Sequence, residues 1–425
     1  MIRLRVWANV RPMGWFGHAA GEYFFEYDPQ WLEQDGAFVL APRFPLQKER
    51  FTGVDIRNFF ANLLPEGAAL DVILNAIQMR EASPFEMVGR LGAELPGVLS
   101  VLPENAAPQF QQEYTPLTYA QLSRRLAERS IKPLLTANEQ TTMSLAGAQD
   151  KIGLRYDSKT GKISDSVGQS PTTHIFKPDT RLKAFQPSAI NEYACMLLAR
   201  ALKLPVPDVW LLRVPEAVYV VQRYDRVMVS GNILSLHQID GCQLLGVGAD
   251  WKYERNAGLV SLPKLAQALR ELKVPGRDLL QMQRWVMFNY LSGNADAHAK
   301  NLSVLISDQG YRLAPFYDIL CVRAYGDNRM ALFIGDEEEF DAVGAHSWEA
   351  LCKDCGFRFK QTMDEFRRMA SAMTPAWNKI YGQLHEDTHT THEEHELLER
   401  MNAVFANHIE AALSMTQLGS PEPAR

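Results

Sequence analysis

Asp296, His298, Lys300 and Asn301 fall within six residues of the segment SGNADAHAKNLSVL, and an apolar run follows at once. A carboxylate, an imidazole, an ammonium and an amide oxygen on one short loop suit phosphoryl transfer. An Asp followed by an Asn five positions later has the spacing of a kinase catalytic loop. There the Asp takes the proton of the attacking hydroxyl and the Asn oxygen holds magnesium. The metal needs a second carboxylate, and Asp318 arrives after the next strand pair as FYD. Upstream, Lys177 ends a short strand, HIFK, in position to hold ATP phosphates, and Glu192 on the following helix is placed to pair with it. A small-residue turn within SLAGAQDKIGLRY (144–156) precedes both. Each member alone has an ordinary alternative: Asp318 as a helix cap, Lys177 as a surface lysine, Glu192 as a solvated helix residue, Ser144 and Gly147 as parts of a turn. The ordered set is what points to kinase chemistry.

These groups need elements to hold them. Residues 1–104 open with RLRVWANV and EYFFEY, whose alternation predicts strands. IRNFFANLL (56–64) has helical spacing, GVLSVLP (97–103) reads as a closing strand, and PENAAPQFQQ (103–112) as a linker. In 113–255 the order is strand, strand, helix, strand, strand, with TGK (160–162) as a hairpin tip. The helix there is AINEYACMLLARALKL, with Ile190, Tyr193, Ala194, Leu197, Leu198 and Ala201 on one face. Residues 256–425 are mainly helical, and RDLLQMQRWVMFNYLSG runs directly into the Asp296 loop. LSVLI (302–306) and YRLAPFYDI (311–319) flank a turn at Asp308-Gln309-Gly310. The class is therefore α+β, with a small sheet lobe, a helical lobe and a cleft expected between them.

Length and charge narrow the function. A chain of 425 residues is too long for one typical core and predicts two or three domains. With 44 basic against 50 acidic residues the net charge is −6, which argues against unaided, charge-driven DNA binding. The N-terminus lacks an apolar signal core and no run of 18 apolar residues occurs, so a cytoplasmic protein without membrane contact is expected. Five scattered cysteines give no disulfide framework. Cys352 and Cys355 form a CxxC with no second pair, which suits a packed helix better than zinc. His385, His389, His392 and His395 fall at near-helical spacing among acids, a solvated segment in which metal capture stays open.

SLAGAQDK (144–151), PTTHIFK (171–177), NEYACMLLARALKLPVPD (191–208), QRYDR (222–226), NADAHAKNLSV (294–304) and YRLAPFYDI (311–319) together resemble the HipA family. These are the serine/threonine kinase toxins of bacterial HipBA toxin–antitoxin systems. FPLQ (44–47), FFANLLP (59–65) and GVLSVLPE (97–104) extend the resemblance to nearly the whole chain. It implies a HipA-like kinase fold, with 1–104 as N-terminal subdomain, 113–255 as the ATP-loop region and 256–425 as the helical lobe. Asp296 would be the catalytic base, and Asn301 and Asp318 would hold Mg2+. Lys177 would contact ATP phosphates beneath a loop of Ala146, Gly147, Ala148, Gln149, Asp150 and Lys151. His298, Ala299, Lys300 and Tyr317 would line the nucleotide site, and Gln222, Arg223 and Tyr224 would form the adenine hinge. Gln222 and Tyr224 depart from the Glu and Phe expected there, which bears on affinity rather than activity. GxGxxG, DFG and APE are absent, so this is not a eukaryotic-type protein kinase.

The resemblance further implies a protein substrate, an aminoacyl-tRNA synthetase of glutamyl type, whose phosphorylation stalls translation. It implies self-inactivating autophosphorylation of Ser144, a HipB-like helix-turn-helix antitoxin, and operator DNA bound through the antitoxin complex. A kinase of this fold with another substrate shares every catalytic residue. A non-catalytic corepressor would be free to lose Asp296, Asn301, Asp318 and Lys177, all of which are present.

Overall fold

The computed structural model describes residues 2–76, 78, 81–109, 111–129, 134, 145 and 149–418. The chain forms two compact units, each assembled from several segments. One comprises Met1–Pro178, Leu212–Ala249 and Val304–Ala314; the other comprises Asp179–Leu211, Asp250–Ser303 and Pro315–Arg425. Mixed antiparallel sheets and separate helices make the fold α+β.

In the first unit, β1 (Ile2–Ala8), β2 (Arg11–Ala19), β3 (Glu22–Tyr27), β4 (Phe51–Thr52) and β5 (Leu99–Pro103) form a sheet in the order β4-β3-β2-β1-β5. β1 and β3 are the strands that alternation predicts, and β5 is the expected closing strand. β2 lies outside them because Gly14 and Gly17 interrupt its apolar pattern. The reason is packing: a Cβ on Gly17 would lie 2.1 Å from the Phe24 ring. Helices α1 (Pro29–Glu33), α2 (Val54–Ala61), α3 (Gly67–Ala76) and α4 (Pro84–Leu91) accompany this sheet in sequence. α2 buries Ile56, Phe59 and Phe60, and the Phe60 ring stacks on Phe16 with centroids 3.8 Å apart.

A six-stranded sheet in the order β10-β11-β9-β7-β8-β6 follows. Its strands are β6 (Tyr114–Leu117), β7 (Ile152–Asp157), β8 (Lys162–Ser166), β9 (His174–Pro178), β10 (Val209–Val214) and β11 (Glu216–Gln222), with α5 (Tyr119–Glu128) after β6. The turn between β7 and β8 is the expected hairpin tip. Asp157 accepts from the Thr160 hydroxyl at 2.7 Å and the Lys159 N–H at 3.0 Å. A hairpin of β12 (Arg226–Val229) and β13 (Asn232–Ser235) comes next, then β14 (His237–Asp240) and α7 (Gly241–Leu245). β14, β15 (Ser303–Ser307) and β16 (Gly310–Leu313) form a three-stranded sheet. The strand expected over YRLAPFYDI stops at Leu313, and residues 314–319 run without regular structure.

The second unit is mostly helical: α6 (Ala189–Ala201), α8 (Leu262–Glu271), α9 (Gly276–Leu291), α10 (Ala345–Cys355), α11 (Phe359–Glu386) and α12 (His392–Leu418), with a ribbon of β17 (Arg329–Ile334) and β18 (Glu337–Glu339). α9 is its central pillar. Trp285, Met287, Phe288, Tyr290 and Leu291 are buried, and the Tyr290 ring meets Phe366 at 5.8 Å and His408 at 5.1 Å. α11 and α12 pair through Trp377, which packs edge-on against Phe405 and donates to Asn402 Oδ1 at 3.0 Å. Cys352 and Cys355 are buried on α10, and burial pushes the Cys355 thiol up to about 12. Such thiols pack as small apolar groups. In the histidine segment, the His385 and His395 rings lie 4.6 Å apart, while His389 and His392 are exposed beside Asp387 and Glu396. Among the described residues no helix is long and apolar enough to cross a membrane.

Candidate active site

The Asp296 loop begins where α9 ends. Ser292 closes the helix, and Gly293 then adopts φ +63°, a left-handed turn that reverses the chain. A Cβ there would lie 2.9 Å from Val404 Cγ1 and 3.0 Å from Arg323 Cβ, so glycine also makes room for close packing. Asn294 ties the loop back to the helix. Its N–H donates to the Asn289 carbonyl at 2.9 Å and its Nδ2 to Asn289 Oδ1 at 2.9 Å. The Asp296 N–H in turn donates to Asn294 Oδ1 at 3.2 Å.

Beyond Asp296 the chain coils tightly. The His298 N–H donates to the Asp296 carbonyl at 2.8 Å, and residues Ala299–Asn301 make one 3-10 turn. Asn301 closes the loop on itself, since its Nδ2 donates to the Asp296 carbonyl at 2.9 Å. That bond orients the amide and leaves Oδ1 as the end turned away from it. The Asp-to-Asn spacing therefore has a local cause: five residues return the amide to the backbone of the Asp. Tyr317 holds the far side. Its hydroxyl donates to the Lys300 carbonyl at 2.7 Å and lies 2.6 Å from Ser303 Oγ. His298, Ala299, Lys300 and Asn301 are all buried, and Asp296 is half-buried.

Asp318 has φ +59°, a left-handed conformation in a residue with a β-carbon. Asp tolerates this region better than most residues but still pays for it, and such strain concentrates at functional sites. Its surroundings impose it. The Phe316 N–H donates to the Pro205 carbonyl at 2.8 Å, and the Phe316 ring stacks on Trp285 at 6.0 Å. On the other side, the Asn191 side chain on α6 accepts from the Cys321 N–H at 2.7 Å and donates to its carbonyl at 3.1 Å. The Asn301 amide oxygen and the Asp318 carboxylate are each hard oxygen donors, of the kind magnesium takes.

In the first unit, Lys177 sits on β9 opposite Tyr219 of β11, its Nζ 5.8 Å from that ring centroid. It is 6% exposed, which removes the surface-lysine alternative. Glu192 on α6, in the second unit, is 1% exposed and likewise not a solvated helix residue. Gln149 donates from Nε2 to the Pro178 carbonyl at 3.3 Å, and Asp150 and Lys151 lead into β7 half-buried. Ser144, Ala146, Gly147 and Ala148 lie outside the described residues.

Gln222 is exposed at the end of β11. The Arg223 guanidinium, by contrast, is buried and committed. It reaches Glu94 Oε1 at 2.8 Å, Thr172 Oγ1 at 2.9 Å and Asp225 Oδ2 at 2.9 Å. Arg226 bridges the same two acids at 2.9 Å each. Despite full burial, the two guanidinium groups hold the Asp225 carboxyl well below the usual carboxylate range. The Tyr224 hydroxyl donates to Gln238 of β14. Of the three, Gln222 is exposed, Tyr224 half-buried and Arg223 buried.

One residue at the Asp296 loop carries no sequence signal. The Tyr253 hydroxyl donates to Asp296 Oδ1 at 2.8 Å. WKYE (251–254) has neither motif spacing nor strong periodicity, and its place beside the loop arises only from the tertiary fold.

Comparison with known proteins returns one family for both parts of the chain. A model of the HipA N-terminal domain matches residues 4–102, and one of the HipA-like C-terminal domain matches residues 143–377. The chain is 35% identical to "Putative kinase Y4mE" of Sinorhizobium fredii over 364 residues, 83% of this chain and 86% of that one. It is 28% identical to the serine/threonine-protein kinase toxin HipA of Shewanella oneidensis, over 79% of this chain and 78% of that one. The fold superposes on a Shewanella oneidensis HipA structure, solved with HipB and operator DNA, with a TM-score of 0.85. The identity there is 24%, and the match covers 98% of each chain.

Proposed function

The chain belongs to the HipA family of serine/threonine-protein kinases, and from that premise we propose that the Asp296 loop catalyses transfer of the ATP γ-phosphoryl group to a serine of a protein target. The observation that carries this reading is the closed Asp296–Asn301 loop. It buries its polar neighbours, half-exposes one carboxylate and orients one amide by a bond to the backbone of that same Asp.

In the proposed step, Asp296 accepts the proton of the serine hydroxyl. The serine oxygen bonds to the γ-phosphorus as the bond to the β,γ-bridging oxygen breaks, and ADP departs with that electron pair. Asn301 and Asp318 would hold Mg2+, which supplies neutralisation of phosphate charge. Lys177 contacts the phosphates, and the backbone about Gln222 meets adenine. Arg223 serves that segment structurally, since its guanidinium is already bonded. His298, Ala299, Lys300 and Tyr317 shape the nucleotide side of the loop.

The favoured target is an aminoacyl-tRNA synthetase of glutamyl type, whose phosphorylation would arrest translation. Autophosphorylation of Ser144 would act as a brake, and a HipB-like antitoxin would neutralise the chain and carry it to operator DNA. The relative of known structure, seen with HipB and operator DNA, supports the antitoxin reading. The test is phosphoproteomic mass spectrometry of cells expressing the chain or Asp296→Asn. A phosphoserine on the synthetase that depends on Asp296 supports the target. Asp296-dependent phosphoserine on other proteins alone would replace it.

A further inference from the structure

A carboxylate acting as base must present one oxygen to the substrate, yet rotation about the Asp Cβ–Cγ bond is soft and two-fold. Something must fix that torsion. In the second unit this falls to four consecutive residues, Lys252 to Arg255, that join the Asp296 loop to β17. On the loop side, the Ala299 N–H donates to the Lys252 carbonyl at 3.1 Å. The Tyr253 hydroxyl donates to Asp296 Oδ1 at 2.8 Å, and its ring meets His298 edge-on at 5.4 Å. On the strand side, the Glu254 N–H donates to the Ala331 carbonyl at 2.9 Å, and Glu254 Oε2 accepts from the Phe333 N–H at 2.7 Å. Arg255 donates to the Met330 carbonyl at 3.2 Å, and its guanidinium lies 4.5 Å from the Tyr253 ring centroid.

We propose that Tyr253 is a positioning residue for the catalytic carboxylate, fixing Oδ1 through its hydroxyl so that Oδ2 faces the substrate hydroxyl. The proposal rests on Asp296 being the base. The neighbouring bonds to β17 keep the tyrosine from following the carboxylate if it rotates. A hydroxyl donor bonded to one of two equivalent carboxyl oxygens breaks their equivalence, so one donor is enough to select the orientation. Tyr253 needs no contact with ATP in this role. It acts on the chemical step and not on nucleotide binding.

The test is Tyr253→Phe, which deletes only the hydroxyl and keeps the ring against His298 and Arg255. ADP production from ATP and magnesium is followed with glutamyl-tRNA synthetase as the protein acceptor, for wild type, Tyr253→Phe and Asp296→Asn. The expected result is a kcat about tenfold lower in Tyr253→Phe, a smaller loss than the about 10²–10⁴-fold expected when the base itself is removed. KM for ATP should stay within about twofold, and the melting temperature should not change, since uniform binding is untouched. Wild-type turnover in Asp296→Asn would overturn the base assignment beneath the proposal. Loss of turnover in Asp296→Asn with full kcat in Tyr253→Phe would overturn the positioning role alone. A raised KM and lowered melting temperature with unchanged kcat would also overturn it, since those mark a merely structural residue.

Discussion

At the scale of single residues, the proposed mechanism divides the loop between groups that would meet the substrate and groups that hold them. Replacing Asp296 by Asn keeps the shape and the loop bonds but removes the proposed proton acceptor. Turnover is expected to fall about 10²–10⁴-fold with ATP affinity nearly intact, read by steady-state kinetics and calorimetry. Asp318→Ala removes a proposed magnesium donor, so ATP binding at limiting magnesium should weaken more than in Asp296→Asn. Equal affinity of wild type and Asp318→Ala would contradict the ligand role. Glu254 gives a prediction with a pH sign. Burial raises its carboxyl to about 7, from an ordinary value near 4.5. The folded state therefore holds the proton more tightly than the unfolded state, and stability present below about pH 4.5 is lost as pH rises towards 7. Glu254→Gln keeps a carbonyl for the Phe333 N–H without the charge. It should gain about 1 kcal/mol over wild type at pH 8, discounting for the part of the side chain that water reaches, and none at pH 5. Paired thermal melts at the two pH values check this.

At the scale of elements, the end of α9 decides where the loop points. The helix is anchored by buried aromatics, so the loop inherits a fixed origin. The left-handed Gly293 then sets its direction. Gly293→Ala would force both a disfavoured φ and a Cβ 2.9 Å from Val404. It should destabilise the second unit by about 1–3 kcal/mol and depress turnover through displacement of Asp296. Denaturant melts together with kcat measure both effects.

At the scale of the whole molecule, each unit carries a buried neutral histidine that makes it sensitive to acid. His237 in the first unit lies 2.8 Å, through Nε2, from the Leu40 carbonyl, and burial lowers it to about 4. His408 in the second, packed on Tyr290 and Phe340, is lowered to about 4 for the same reason, with Arg323 adding to it. Folded-state values below the unfolded value mean that the unfolded chain takes up protons first. Stability is then lost as pH falls from about 6.5 to 4, on the order of 3 kcal/mol for each histidine. His237→Gln should flatten that part of the pH–stability curve for the first unit. An unchanged slope in chemical denaturation at pH 6.5, 5.5 and 4.5 would refute it.

The sequence alone proposed the chemistry-bearing set and its order. The Asp-to-Asn spacing is local, because a five-residue return is what lets the Asn301 amide reach the Asp296 carbonyl. Amphipathic α6, strands β1, β3, β5 and β9, and the turn between β7 and β8 were legible for the same reason: period and turn chemistry act over a few residues. β2 was not, since its glycines answer to Phe24 on the next strand. The burial of Lys177 and Glu192, the commitment of Arg223 to Glu94, and the strained backbone of Asp318 were also left open by sequence. The tyrosine on Asp296 is the clearest case. Forty-three residues separate Tyr253 from Asp296, and no periodicity or motif spans that distance. Only the packing of α8, α9 and β17 into one unit brings the hydroxyl to the carboxylate, because long-range neighbours are set by how faces bury together.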